Sequence, residues 1–379
     1  MDYAATTPVD ERVLTAMLPY FSEFYGNASE IHSFGVEAKR ALEGSREKVA
    51  HILNSDPSRV IFTSGATESN NLALKGIAFA NKKKGGHIII SSIEHHCVLD
   101  TARWLETQGF ELTLLPVDRY GLVDTAVVER AIRGDTLLVS VMHSNNEIGV
   151  LEPIAEIGKI CREKGIYFHS DAVQSLGKIP VNVEELGVDL LSVSSHKLYG
   201  PKGVGALNVS EGVRLEPLAH GGGHEQGIRS GTENVTGIVG FGEACRIAEE
   251  EMSREAPRLT KLRDKLISRI LEVKDTCLNG HPTKRLPNNA NFSFKYIEGE
   301  ALLLKLDDKG IAASTGSACS SKSAEPSHVI LALGLKPEDA RGSLRLTLGR
   351  WTTEDEVDYV LEVLPPIVEE LRLLSPLTK

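Results

Sequence analysis

Between residues 59 and 209 the chain alternates short apolar, β-branched runs with amphipathic helical stretches, and this alternation restricts the fold more than any other feature. Runs near 59–63, 87–93, 110–116, 136–142, 166–171, 188–195 and 204–209 predict strands. Stretches near 64–80, 97–108, 124–133 and 153–164 predict the helices between them, after an earlier helix near 34–53. Strand and helix in turn indicate a mostly parallel sheet covered by helices on both faces. Val188-Asp-Leu-Leu-Ser-Val-Ser-Ser195 is apolar at both parities over most of its length, as a strand buried between two helical layers must be. From about Glu233 the texture changes. A charged helical stretch runs to Lys274 and is punctuated at Glu255-Ala-Pro257. Strands near 291–296 and 344–348, a helix near 300–306 and a final amphipathic helix near 353–374 follow. The fold class is therefore α/β, with a large domain over 7–254 and a smaller α+β domain over 255–379 joined by residues 1–6.

Composition sets the function classes that remain. A hydrophobic content of 41% and a charged content of 25% suit a folded enzyme, and a formal net charge of -10 argues against nucleic acid or an anionic membrane as partner. Neither a long apolar run nor a basic-then-apolar leader is present, so a cytoplasmic protein is expected. The five cysteines are scattered, odd in number and without a Cys-x-x-Cys pair, which excludes a disulfide framework and a self-contained metal site but leaves room for one reactive thiol.

Polar groups gather where the predicted strands end. Lys197 follows the 188–195 strand directly, at the sheet edge where open α/β folds bind ligands, and a lysine beside an apolar interior can form a Schiff base. Ser64-Gly-Ala66-Thr67 lies between a strand and a helix, so its N–H groups can face a phosphate. Asp171 ends another strand and needs a cationic partner, for which a protonated pyridine nitrogen would serve. His95, in Glu94-His95-His96, can stack on a planar ring or move a proton. Asn146, in His143-Ser-Asn-Asn146-Glu147, can donate to a phenolate oxygen. Thr232, in the glycine-rich loop 220–234, is a candidate phosphate ligand. Arg345 is a lone cation in the apolar strand Leu344-Arg-Leu, as a carboxylate clamp or a structural ion pair would be. Cys319 lies among small residues with no apolar periodicity, near Lys322 and His328 as candidate cations. Cys97, Cys161 and Cys245 fall in predicted helices and read as packing residues.

These stretches carry a resemblance. Asp2-Tyr-Ala-Ala-Thr-Thr-Pro, Phe62-Thr-Ser-Gly-Ala-Thr-Glu-Ser, Glu94-His95, Asn145-Asn-Glu-Ile-Gly149, Asp171-Ala-Val-Gln174, Ser194-Ser-His-Lys-Leu-Tyr-Gly-Pro-Lys-Gly203, Arg229-Ser-Gly-Thr232 and Gly316-Ser-Ala-Cys319 resemble the cysteine desulfurases of the NifS and IscS kind, in that family's order and over essentially the whole chain. The resemblance implies the type I fold of pyridoxal 5'-phosphate enzymes in the class V aminotransferase branch, a homodimer, and removal of sulfur from L-cysteine to give L-alanine. It implies that Lys197 holds the cofactor, Asp171 pairs with its ring nitrogen, His95 stacks on the ring, and Asn146 and Gln174 address its phenolic oxygen. Ala66, Thr67, Ser194 and His196 would hold the phosphate, with Thr232 from the second subunit. Arg345 would grip the substrate carboxylate. Cys319 would accept the sulfur and pass it to an iron–sulfur scaffold of the IscU or NifU kind, sharing a transient [2Fe-2S] cluster with it. A selenocysteine lyase or an aminotransferase on the same fold is the alternative, and Cys319 discriminates against the latter. A relay protein without catalysis is disfavoured by Lys197.

Overall fold

The computed structural model describes residues 1–315 and 326–376. Ten strands form two sheets among these residues: β1 (Val60–Thr63), β2 (His87–Ser91), β3 (Glu111–Leu115), β4 (Thr136–Ser140), β5 (Tyr167–Asp171), β6 (Leu190–Ser194), β7 (Gly205–Val209), β8 (Thr276–Asn279), β9 (Asn289–Phe294) and β10 (Ser343–Thr347). The larger sheet has the order β1-β7-β6-β5-β4-β2-β3. Strands β3, β2, β4, β5 and β6 pair in parallel, and β7 runs antiparallel to both β6 and β1. Every residue of β2, β4, β6 and β7 is buried, which explains their continuous apolar runs; the edge strand β3 is largely open.

Two apolar layers cover this sheet. One contains Ala38, Leu42, Val49, Ile157 and Phe241; the other contains Leu72, Ile77, Val98, Leu99 and Leu105. The smaller sheet, β10-β9-β8, is antiparallel and packs its own core around Phe292, Phe294, Leu302 and Leu364. The charged stretch after Glu233 is one helix, Val235–Ile270, with Pro257 in its interior. The interruption expected at 255–257 is thus not a gap in the helix. It falls where the helix passes from one core, last touched by Ala248, to the other, first touched by Leu259. Strand β8 was not legible in the sequence, because its burial alternates over only four mixed residues. No helix among the described residues is long and apolar enough to cross a membrane.

The glycine-rich loop 220–234 is fixed to the larger sheet by a buried ion pair. Arg46 donates from Nη1 and Nη2 to Glu225, both at 2.8 Å, and Glu225 Oε2 also accepts the Phe62 N–H at 2.7 Å. Removing one partner strands a buried charge, so Arg46→Ala is expected to cost about 3–5 kcal/mol of stability, read as a drop in thermal midpoint. Adding Glu225→Gln to that variant should recover part of the loss.

Candidate active site

The residues singled out at strand ends meet in one cleft of about 530 Å³, at the carboxyl edge of the parallel strands. Lys197 lies in a tight turn, Ser195–Lys197, that follows β6 without a break. A side chain at Gly200 would put its Cβ 2.0 Å from Ser195 Oγ, so glycine is required for that turn to close. Lys197 Nζ donates to the carbonyls of Ala4 at 2.5 Å and Ala5 at 2.7 Å, which brings the amino-terminal segment to the cleft wall. Gln174 Nε2 donates to the same Ala4 carbonyl at 3.0 Å.

Asp171 closes β5 and is buried. Its Oδ1 accepts the Val173 N–H at 2.9 Å and its Oδ2 accepts from Asn70 Nδ2 at 2.7 Å. A carboxylate has about four lone-pair positions, so these two donors leave room for a cation. Asn70 lies one turn beyond Ala66 and Thr67 on the helix Ala66–Ala80 and therefore faces the same side. That spacing was the available signal for a residue the sequence reading missed.

The start of the helix Ala66–Ala80 has no side-chain cap. Its first residue is preceded by Gly65 at φ +148°, a conformation that excludes other side chains. Glu68 turns back to accept the Ser64 N–H at 2.7 Å and is held by Arg229 Nε at 2.8 Å. The N–H groups at this end, with Ser194 and His196 on the opposite wall, form an anion cradle. His196 is held neutral, with a pKa lowered to about 4 by burial and by the neighbouring lysines 197, 202 and 178. Its Nδ1 lies 3.1 Å from Thr6 Oγ1.

His95 caps the helix His96–Thr107: its Nδ1 accepts the Cys97 N–H at 3.2 Å. The ring proton of the neutral imidazole therefore sits on Nε2. Burial lowers the His95 pKa and outweighs the opposing pull of Asp171, so the neutral form is favoured. Cys97 packs against the apolar layer that contains Leu72 and Val98, as expected, and it also lines the cleft. Its Sγ is 3.0 Å from His95 Nδ1 and 3.1 Å from Asn70 Nδ2. Burial first, then Asp171, push this thiol up to about 12, so its protonated form is favoured. Cys161 and Cys245 are buried as expected.

Arg345 reaches the cleft from the middle of β10. Its Nη1 donates to the Asn146 carbonyl at 2.9 Å, its Nη2 pairs with Asp2 Oδ1 at 2.9 Å, and its buried Nε has no partner among the described residues. His328 is half-buried; burial lowers its pKa, and its Nε2 lies 3.0 Å from the Glu94 carbonyl. Thr232 is exposed and outside the cleft lining. Cys319 and Lys322 lie outside the described residues.

These groups fit pyridoxal 5'-phosphate. An amine, a buried carboxylate with lone pairs to spare and a helix start share one cleft, and among the described residues the helix start has no side-chain cap and an arginine Nε there lacks a partner. Comparison with known proteins agrees. Residues 1–360 match the aminotransferase class-V family. Over 376 residues, covering 99% of this chain and 98% of the relative, the sequence is 55% identical to cysteine desulfurase IscS 1 of Archaeoglobus fulgidus. It is 56% identical to cysteine desulfurase IscS of Methanosarcina thermophila over 378 residues, 100% of this chain and 94% of that one. The structure superposes on a solved NifS-like protein with a TM-score of 0.91 at 42% identity, covering 98% of each chain. Fold, cleft and sequence thus agree that the chain belongs to the class-V aminotransferase family and, within it, is a pyridoxal-phosphate-dependent cysteine desulfurase.

Proposed function

We propose that Lys197 binds the cofactor in this desulfurase and that Cys319 takes the sulfur of L-cysteine as a persulfide, releasing L-alanine. The observation that carries this reading is the convergence of Lys197, Asp171 and Arg345 on one cleft from three strands of two sheets. Bound pyridoxal phosphate supplies an electron sink for the charge left when the substrate loses its Cα proton. Asp171 holds the ring nitrogen protonated, and the N–H groups of Ala66 and Thr67, with Ser194 and His196, take the phosphate. Asn146 and Gln174 would address the phenolic oxygen, and His95 would stack on the ring with its Nε2 proton available. Arg345 orients the substrate carboxylate, and the amine of Lys197 moves the Cα proton. The Cys319 thiolate then attacks the substrate sulfur. A sulfur–sulfur bond forms, the substrate Cβ–S bond breaks, and the Cβ carbon takes up a proton to complete alanine.

A homodimer belongs to the same reading. Its support is the exposed position of Thr232 and the exposed apolar side chains of Leu18, Phe21, Tyr25, Ile31 and Phe34 on one stretch of chain. The same reading takes an iron–sulfur scaffold of the IscU or NifU kind as the acceptor, in a cytoplasmic setting. A transient [2Fe-2S] cluster would use Cys319 as a ligand shared with that scaffold.

The test is alanine and sulfide release from L-cysteine in the presence of a thiol reductant. The unmodified chain should give the two products one for one, and Cys319→Ala should slow release by about 10²-fold or more while leaving Cα-deuterium exchange of L-alanine intact. Loss of the exchange together with release would remove Cys319 from the role of acceptor. Alanine released from selenocysteine but not from cysteine would favour the lyase alternative.

A further inference from the structure

We propose that Glu147 and His328 are positioning residues of the sulfur-transfer step, fastening the segment that carries Cys319 to the two loops that carry Asn146 and His95. The inference rests on Cys319 being the sulfur acceptor. Ser327 Oγ donates to Glu147 Oε2 at 2.5 Å and accepts the N–H groups of Val329 at 3.1 Å and Ile330 at 3.4 Å, so its proton has one destination. Glu147 is buried, and a neutral amide would cap a serine at lower desolvation cost. The carboxylate is offset by that hydroxyl and by the nearby charge of Arg345, although burial still lifts its pKa to about 6. The Glu147 backbone is fixed as well, its carbonyl accepting from Asn289 Nδ2 at 3.2 Å and Asn291 Nδ2 at 3.1 Å on β9.

One residue further on, His328 Nε2 donates to the Glu94 carbonyl at 3.0 Å, and its ring packs edge-on against His96 at 4.9 Å. Both attachment points are thus immediate chain neighbours of cleft residues: Glu147 follows Asn146, and Glu94 precedes His95. The other root of the segment is tied to the carboxylate clamp itself. Arg345 N donates to the Ser314 carbonyl at 2.6 Å, Ser314 N donates back to the Arg345 carbonyl at 3.3 Å, and Ser343 Oγ donates to the Thr315 carbonyl at 2.9 Å. A shift of either root is therefore a shift relative to substrate, and misplacement of about 1 Å can cost about 10²-fold in rate.

The experiment compares the cofactor-loaded unmodified protein with Glu147→Ala, Glu147→Gln and His328→Ala. Single-turnover persulfide formation on Cys319, Cα-deuterium exchange of L-alanine, and the iodoacetamide capture rate of the Cys319 peptide are followed. Both alanine variants should slow persulfide formation by about tenfold or more and change the capture rate by at least about threefold, with exchange within about twofold of the unmodified protein. Glu147→Gln, whose amide oxygen still accepts from Ser327, should recover most of the loss. Unchanged persulfide and capture rates in folded variants would overturn the proposal, as would exchange falling in step with persulfide formation, since the residues would then act on the cleft alone. If Glu147→Ala does not fold, His328→Ala decides between these outcomes. Should the unmodified chain form no persulfide on Cys319, the underlying reading fails, and unequal capture rates would then report only that the root is held.

Discussion

Lys197→Ala should slow alanine release from L-cysteine by about 10⁴-fold, the upper end of the range of about 10²- to 10⁴-fold for loss of a positioned proton-transfer group. The effect is expected to be larger than for any other single replacement in the cleft, because this amine is asked both to hold the cofactor and to move the Cα proton. Borohydride reduction of the unmodified protein followed by peptide mapping should mark Lys197 and no other residue. Two further lysines are close enough to make the test sharp. Lys202 also lines the cleft, and the neighbouring Lys178 has a pKa lowered to about 7 by burial first and by Lys197 second. Lys178 Nζ is spent on the Gln174 carbonyl at 2.8 Å, and Lys202 is an exposed residue in the turn beyond β6. Reduction that marked either one instead would overturn the assignment.

Arg345→Ala is expected to lower kcat/KM for L-cysteine by about 10²-fold or more, mostly through KM, with Arg345→Lys recovering little because a lysine cannot reproduce the planar two-pronged contact. The structural alternative is testable in the same assay, since Arg345 is ion-paired with Asp2 at 2.9 Å. If that pair serves only to hold the amino-terminal segment, Asp2→Asn should reproduce the Arg345→Ala defect. If the guanidinium is the clamp, Asp2→Asn should leave KM unchanged or lower it, because a competing carboxylate has been removed.

Lys197, Asp171 and Arg345 were legible in the sequence because each is a charged residue set within or at the end of a predicted strand, where an open α/β sheet binds its ligands or where a solvated charge has little place. What these residues touch was not legible. The Ala4 and Ala5 carbonyls lie more than 190 positions from Lys197, and Asp2 lies 343 positions from Arg345, so no local pattern relates them. Cys97 has the periodicity of a core residue on an amphipathic helix and does pack against an apolar layer, but its second role was not legible. Its position just inside the helix start, two residues after a capping histidine, also brings it to the cleft. The antiparallel direction of β7 was equally hidden, since a strand buried on both faces has the same composition whichever way it runs.

The tie between Ser314 and Arg345 also limits where sulfur can go. Cys319 is five residues beyond Ser314, and a fully extended chain advances at most about 3.6 Å per residue, so the Cα of Cys319 cannot lie farther than about 18 Å from that root, with the thiol one short side chain beyond. A tether this short confers an effective thiol concentration in the millimolar range at the cleft, which favours transfer from substrate over capture by thiols in solution. The same length leaves no room for a remote hand-over. On the proposal that Cys319 carries the sulfur, an acceptor must bring its own nucleophile close to β10, and delivery becomes a docking problem.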